Sequence, residues 1–177
     1  IQWANRFVSA LKEGLPSNGS NVIPLFADET SRDSLCQALW NGPQLALYVG
    51  HGRSRGWSGY RGFRWEHIAA SEQTRPVGSL MALTCDNLKS GRDGKVGFGV
   101  RWILNGRAGA FFGALDSIEV KPLETIAQFF LDHFSSGKIS TIGQFISAVD
   151  RDVKTCGDHS VCENWKLFRI MGNPLQR

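Results

Sequence analysis

Residues Leu45 to Gly52 read LALYVGHG, five apolar positions in a row and then Gly50-His51-Gly52. An apolar run of that length, stopped by glycine, reads as a strand buried on both faces of a parallel sheet. A second run, Leu80 to Thr84 (LMALT), ends at Cys85; a third, Ala108 to Leu115 (AGAFFGAL), is followed by the loop Asp116 to Lys121. Around these runs the apolar spacing turns helical, over Trp3 to Lys12, Ser31 to Trp40, Val96 to Leu104, Leu123 to Phe134 and Ile142 to Val153, with a short piece near Trp65 to Ala70. Two further strands are expected: Asn21 to Phe26, which Pro24 would confine to an edge, and Trp165 to Met171 before Gly172-Asn173-Pro174. Strands alternating with helices imply an α/β fold, a mostly parallel central sheet with helices on both faces.

In open sheets of this kind ligands bind beyond the carboxyl ends of the strands. His51 and Cys85 follow consecutive buried strands at those ends, so they emerge on one rim. A thiol attacks as thiolate and needs a nearby base, and histidine accepts and returns a proton near neutral pH. The oxyanion of an acyl-transfer intermediate needs N–H donors, for which the amides of Gly52 and Cys85 are the candidates. Taken alone, a cysteine after an apolar strand is usually a small core residue, and a histidine among glycines a loop residue. The residues by themselves leave both readings open.

The rest of the composition narrows the field. The 177 residues fit one domain, 1–177, with 42% hydrophobic and 20% charged residues. The net charge of +4 and pI near 9.0 are spread along the chain, and the densest basic patch (Arg53, Arg55, Arg61, Arg64) lies in a Gly/aromatic loop. A nucleic-acid footprint would cluster on one face, so no such partner is expected. No apolar run is long enough to span a membrane. Cys156 and Cys162 are close enough to form a small disulfide and have His159 between them, but no second cysteine pair completes a zinc set, and free thiols are the plainer reading. No metal or organic cofactor is expected. Four cysteines do not decide the compartment, and the cytoplasm is favoured over secretion. The chain opens at Ile1, so a lost leader stays open.

YVGHGRSRGW (Tyr48 to Trp57), LMALTCDN (Leu80 to Asn87) and FRIMGNPLQR (Phe168 to Arg177) together resemble the caspase-like cysteine peptidases. That group includes caspases, gingipains, separases, legumains and the bacterial CHAT peptidases. The tryptophan after GHG and the Gly-Asn-Pro ending are most similar to the gingipain and CHAT pattern, with Asn173 where that pattern usually has Asp. The resemblance implies a caspase-haemoglobinase fold whose first strand lies upstream of this chain or is absent. It also implies a cysteine endopeptidase working through a thioester, with Cys85 as nucleophile, His51 as acid/base, and the Gly52 and Cys85 amides as oxyanion hole. The loop at Asp116 falls where such enzymes wall the specificity pocket, so Asp116 would select a basic residue before the scissile bond. Trp57 and Trp65 would line the substrate groove or pin their loop to the domain. His67, His133 and His159 read as surface or capping residues. The implied partners are a protein or peptide substrate and a regulatory sensor domain or subunit. Two alternatives stand beside this reading: another thiol acyl-transfer enzyme, disfavoured because Thr84-Cys85-Asp86-Asn87 lacks the glycines of a nucleophile elbow, and a non-catalytic interaction module of the same fold.

Overall fold

The computed structural model describes residues 2–14, 21–70, 75–91, 94–137 and 140–176. Arg177, at the end of the closing segment, lies outside them. The helices are α1 (Gln2–Gly14), α2 (Arg32–Trp40), the single turn α3 (Gly59–Gly62), α4 (Trp65–Ala69), α5 (Phe98–Leu104), α6 (Val120–Ser136), α7 (Ile142–Thr155) and α8 (His159–Trp165). The strands are β1 (Leu45–Val49), β2 (Gly52–Arg53), β3 (Gly56–Trp57), β4 (Phe63–Arg64), β5 (Val77–Leu83), β6 (Ala108–Ala114) and β7 (Phe168–Gly172).

The main sheet runs β1-β5-β6-β7, parallel across the first three strands and antiparallel between β6 and β7. Strand periodicity sends alternate residues of β5 and β6 to opposite faces. Met81, Leu83, Ala110 and Phe112 join a core roofed by α1, α6, α7 and α8. Leu80, Ala82 and Phe111 join the other, roofed by α2, α5 and the segment between β2 and α4. The mainly parallel α/β architecture expected from the apolar runs is what forms.

Several local expectations change. β1 is an edge strand among the described residues, and only Tyr48 of its five residues is buried, so the run LALYV is not covered on both faces. Residues 21–26 form no strand. Pro24 offers no N–H to a ladder, and the segment is held from the side instead, where the Tyr60 hydroxyl donates to the Leu25 carbonyl at 2.9 Å. The supposed loop after His51 contains a small antiparallel sheet, β2-β3-β4. Trp165 closes helix α8 rather than opening the last strand; Asp158 caps that helix, its carboxylate accepting from the Ser160 and Val161 amides.

Candidate active site

The register of β1 on β5 sets Val49 opposite Leu83, and the Gly50 amide continues the ladder to the Leu83 carbonyl at 3.4 Å. Two residues past those partners come His51 and Cys85. Across the next pair of strands, Met81 faces Phe112, and the Asp86 amide donates to the Asp116 carbonyl at 3.1 Å. The ends of β1, β5 and β6 therefore bring His51, Cys85 and Asp116 to one rim, the rim where open parallel sheets bind ligands. His51 is exposed and Cys85 half-buried.

His51 is held by its backbone. Its carbonyl accepts from the Tyr48 hydroxyl at 2.8 Å and from the Ser58 amide at 2.8 Å. Tyr48 is buried, and that burial pushes its phenol up to about 12, so it stays a neutral donor. Trp57 stacks on the Tyr48 ring at 4.2 Å and on Phe63 at 5.2 Å. With only 4% of its surface exposed, Trp57 sits in the core, where it pins the hairpin and has almost no surface to offer a substrate. Trp65 is half-buried beside Trp102.

Gly52 lies directly against the strand that carries Cys85. A Cβ there would come within 2.7 Å of the Cys85 carbonyl oxygen and 2.8 Å of Asn87 Nδ2, and would also meet Thr84 Oγ1. Real Cβ atoms do not approach backbone that closely, so this crossing requires glycine. The contact that fixes it is Asn87, which is fully buried. Its Oδ1 accepts from Trp57 Nε1 at 2.9 Å, and its Nδ2 donates to the carbonyls of Arg53 at 2.9 Å and Gly56 at 3.4 Å. One amide side chain thus ties the segment after His51 to the segment after Cys85. Between Cys85 and Asn87 the chain turns through Asp86 in the left-handed region, φ 59°, a conformation that Asp tolerates better than most residues.

The Cys85 sulfur rests on the loop after β6. Ile118 N–H points at Sγ from 3.3 Å, and the Ile118 carbonyl lies 3.6 Å from Sγ. That loop is anchored at both ends. The Leu115 amide donates to the Leu167 carbonyl at 2.9 Å, and the Glu119 amide to Asn164 Oδ1 at 2.9 Å. Asn164 is a buried residue of α8 whose Nδ2 donates to the Ser160 carbonyl. The sequence does not single out Asn87 or Asn164, because the partners through which they tie one segment to another lie tens of residues away, beyond any local pattern.

Asp116 is not a bare carboxylate. Lys89 Nζ lies 2.6 Å from its Oδ1 and 3.6 Å from Asp86 Oδ1. The Lys89 hydrogen bond, with a smaller contribution from the Ser117 amide, holds the Asp116 carboxyl below its ordinary value, and the same bond holds the Lys89 ammonium above its own. Away from the rim, His67 Nδ1 accepts from the Arg64 amide, and His133 pairs with Asp152 at 2.6 Å. Among the described residues no group of three or more His, Cys, Asp or Glu side chains could hold a metal ion, and no helix is long and apolar enough to cross a membrane.

Comparison with solved structures finds the same architecture. The chain is similar to the Arg-specific cysteine proteinase gingipain R, with a TM-score of 0.68 and 14% identity over 99% of this chain and 42% of that one. It is also similar to the complex of the RgpB pro- and mature domains of Porphyromonas gingivalis, with a TM-score of 0.62 and 15% identity over 99% of this chain and 43% of that one. The chain thus spans less than half the length of these relatives, and at such identity the likeness is one of fold. Comparison with curated proteins finds no match. The profile of Peptidase family C25 matches residues 4–177, nearly the whole chain, and on that match the chain belongs to Peptidase family C25.

Proposed function

We propose that the chain is a cysteine peptidase in which Cys85 is the nucleophile and His51 the general acid/base. The observation that carries this reading is the shared rim, with β1 and β5 in register up to the two residues and the Asn87 clamp beneath them. In the reaction the Cys85 sulfur attacks the scissile carbonyl carbon while His51 takes the thiol proton. The oxyanion is met by the Gly52 and Cys85 amides. Collapse breaks the C–N bond, His51 returns the proton to the leaving amine, and a thioester remains on Cys85. Water, deprotonated by His51, then hydrolyses the thioester and frees the acid and the thiol.

The substrate is a protein or peptide, and the finer reading is a basic residue before the scissile bond, recognised by Asp116. The Lys89 ion pair occupies that carboxylate, but both side chains are about half exposed, so an incoming guanidinium could displace a surface ammonium at little cost. Gingipain R is an Arg-specific cysteine proteinase, and RgpB forms a complex of its pro- and mature domains. A regulatory segment or sensor module acting on this chain is part of the proposal.

The test is labelling with a peptide acyloxymethyl ketone, comparing the parent chain with Cys85→Ala and His51→Ala. Labelling is expected to disappear in Cys85→Ala and to slow in His51→Ala. Labelling that survives Cys85→Ala overturns the assignment. Reporter peptides ending in Arg, Lys or Asp test the specificity. A preference for Arg or Lys that rises in Lys89→Ala supports the role of Asp116, and equal or Asp-preferring turnover removes it.

A further inference from the structure

The chemistry proposed above uses one thiol and leaves three. Cys36 is buried in the core, and burial pushes its thiol up, which makes it inert. The other two meet. Cys156 is the C-cap of α7, and Cys162 lies on α8. Both sulfurs turn to one acceptor, the backbone carbonyl of Val153, Cys156 Sγ at 3.1 Å and Cys162 Sγ at 3.2 Å. The sulfurs can be no farther apart than those two distances laid end to end, and bent sharing of a single oxygen brings them nearer. The Val153 carbonyl is available because its i+4 residue, Gly157, lies past the helix end, where carbonyls lose their helical partners.

The surroundings allow the remaining approach. Gly157 turns the chain with φ 73° and has nothing within 4 Å of the position a Cβ would take. A disulfide needs Cα atoms about 4.4–6.8 Å apart, and the tight turn between α7 and α8 returns the chain over only five intervening residues. Cys156 is exposed and Cys162 half-buried, so a small oxidant reaches the pair from the Cys156 side. Only two thiols converge, too few for a zinc set, whereas two thiols in reach of each other are what disulfide formation requires.

We propose that Cys156 and Cys162 are an oxidisable dithiol site that closes to an intrachain disulfide when a peroxide is supplied. The Cys156 thiolate attacks one oxygen of hydrogen peroxide, the O–O bond breaks, and sulfenic acid and hydroxide form, the hydroxide taking up a proton to leave as water. The Cys162 thiolate then attacks the Cys156 sulfur and displaces a second hydroxide, likewise protonated to water, as the S–S bond forms. Each sulfur gives up one electron, and the peroxide takes both. The step makes no use of Cys85 and stands whether or not the peptidase reading does.

Trypsin cuts after Lys154 and Lys166, so one peptide, Thr155 to Lys166, carries both cysteines. The experiment treats the folded Cys85→Ala chain with hydrogen peroxide, blocks free thiols with iodoacetamide under denaturing conditions, digests and weighs that peptide. The expected product is lighter by two hydrogens, unalkylated and restored by dithiothreitol, while Cys36 stays alkylatable. Cys156→Ser is expected to leave Cys162 alkylatable. Recovery of the peptide with both thiols alkylated overturns the proposal, as does sulfinic acid at Cys156 without pairing, or a link between two chains. Because cysteines this close can also close in a disordered chain, the rate is compared with that in urea. Closure about tenfold faster in the folded chain is expected of preset partners, and equal or slower closure removes the claim that the fold builds the site.

Discussion

Asn87 has no surface of its own, and every side-chain bond it makes reaches the hairpin that follows His51. Replacing it with alanine leaves Trp57 Nε1 and the Arg53 carbonyl without their partner, a loss of about 1–3 kcal/mol for buried polar groups. The hairpin then floats relative to Cys85. Asn87→Ala is therefore expected to lower acyloxymethyl ketone labelling by about 10²-fold, the scale of an ångström-sized misplacement, in protein that still unfolds cooperatively. Asn87→Asp keeps the acceptor for Trp57 but sets a buried carboxylate oxygen against the Arg53 and Gly56 carbonyls, so it should fall at least as far. Equal labelling in all three chains would show that the clamp has no bearing on the thiol. Gly52→Ala probes the same crossing from the other side, since its methyl must displace the Cys85 carbonyl or the Asn87 amide; a labelling loss of similar size is expected. At this scale the sequence reading singles out His51, Gly52 and Cys85 because glycine, histidine and strand-end cysteine carry chemistry in their identities. It could not find Asn87, although LMALTCDN contains it, because an asparagine states its role only through partners that the fold supplies.

Elements show a similar division. The apolar runs of β5 and β6 announce themselves, since both faces are covered and nearly every residue is buried. The run in β1 looks the same on paper, yet burial of its faces depends on what packs over the edge of the sheet, which no run can report. Helix α8 was hidden for another reason. It has seven residues and few apolar positions, and its start is marked by the cap Asp158 rather than by periodicity. It is tied to α7 through Asp150, whose Oδ1 accepts from Trp165 Nε1 at 3.0 Å while Oδ2 meets Lys154 at 2.6 Å. The Lys154 bond, and after it the Trp165 bond, holds the Asp150 carboxyl below its ordinary 3.8, against an opposing effect of burial. A depressed carboxyl stabilises the fold above its unfolded value and loses that contribution as pH falls through the folded one. Asp150→Asn is thus expected to be less stable than the parent near neutrality, with the gap closing as pH drops below about 4. Urea midpoints across that range measure it, and a gap that does not change with pH would rule out the carboxylate as its source. Because Lys154 is largely exposed, added salt should shrink the gap as well.

The sheet divides the molecule into two apolar layers, and whether they fold as one unit is a question for the whole chain. Phe112 is the place to ask it. It is 1% exposed on an interior strand, stacks on Phe168 at 5.1 Å and meets Phe130 and Trp165 at 5.8 and 5.6 Å. One side chain therefore touches β7, α6 and α8, while its strand neighbour Phe111 points into the opposite layer against Phe98. Phe112→Ala removes those contacts and leaves a cavity, a loss of about 3–5 kcal/mol from a total of about 5–15 kcal/mol. Leu45→Ala, at 40% exposure on the edge strand, should cost less than about 1 kcal/mol. Tryptophans report from both layers, with Trp165 beside Phe112 and Trp57 and Trp102 across the sheet. If β5 and β6 bind the layers into one cooperative body, Phe112→Ala lowers the urea midpoint seen by every tryptophan equally, and single-tryptophan variants keep coincident transitions. A transition that splits, with Trp165 released at lower urea than Trp57 and Trp102, would show instead that the helical layer unfolds apart from the layer that positions His51.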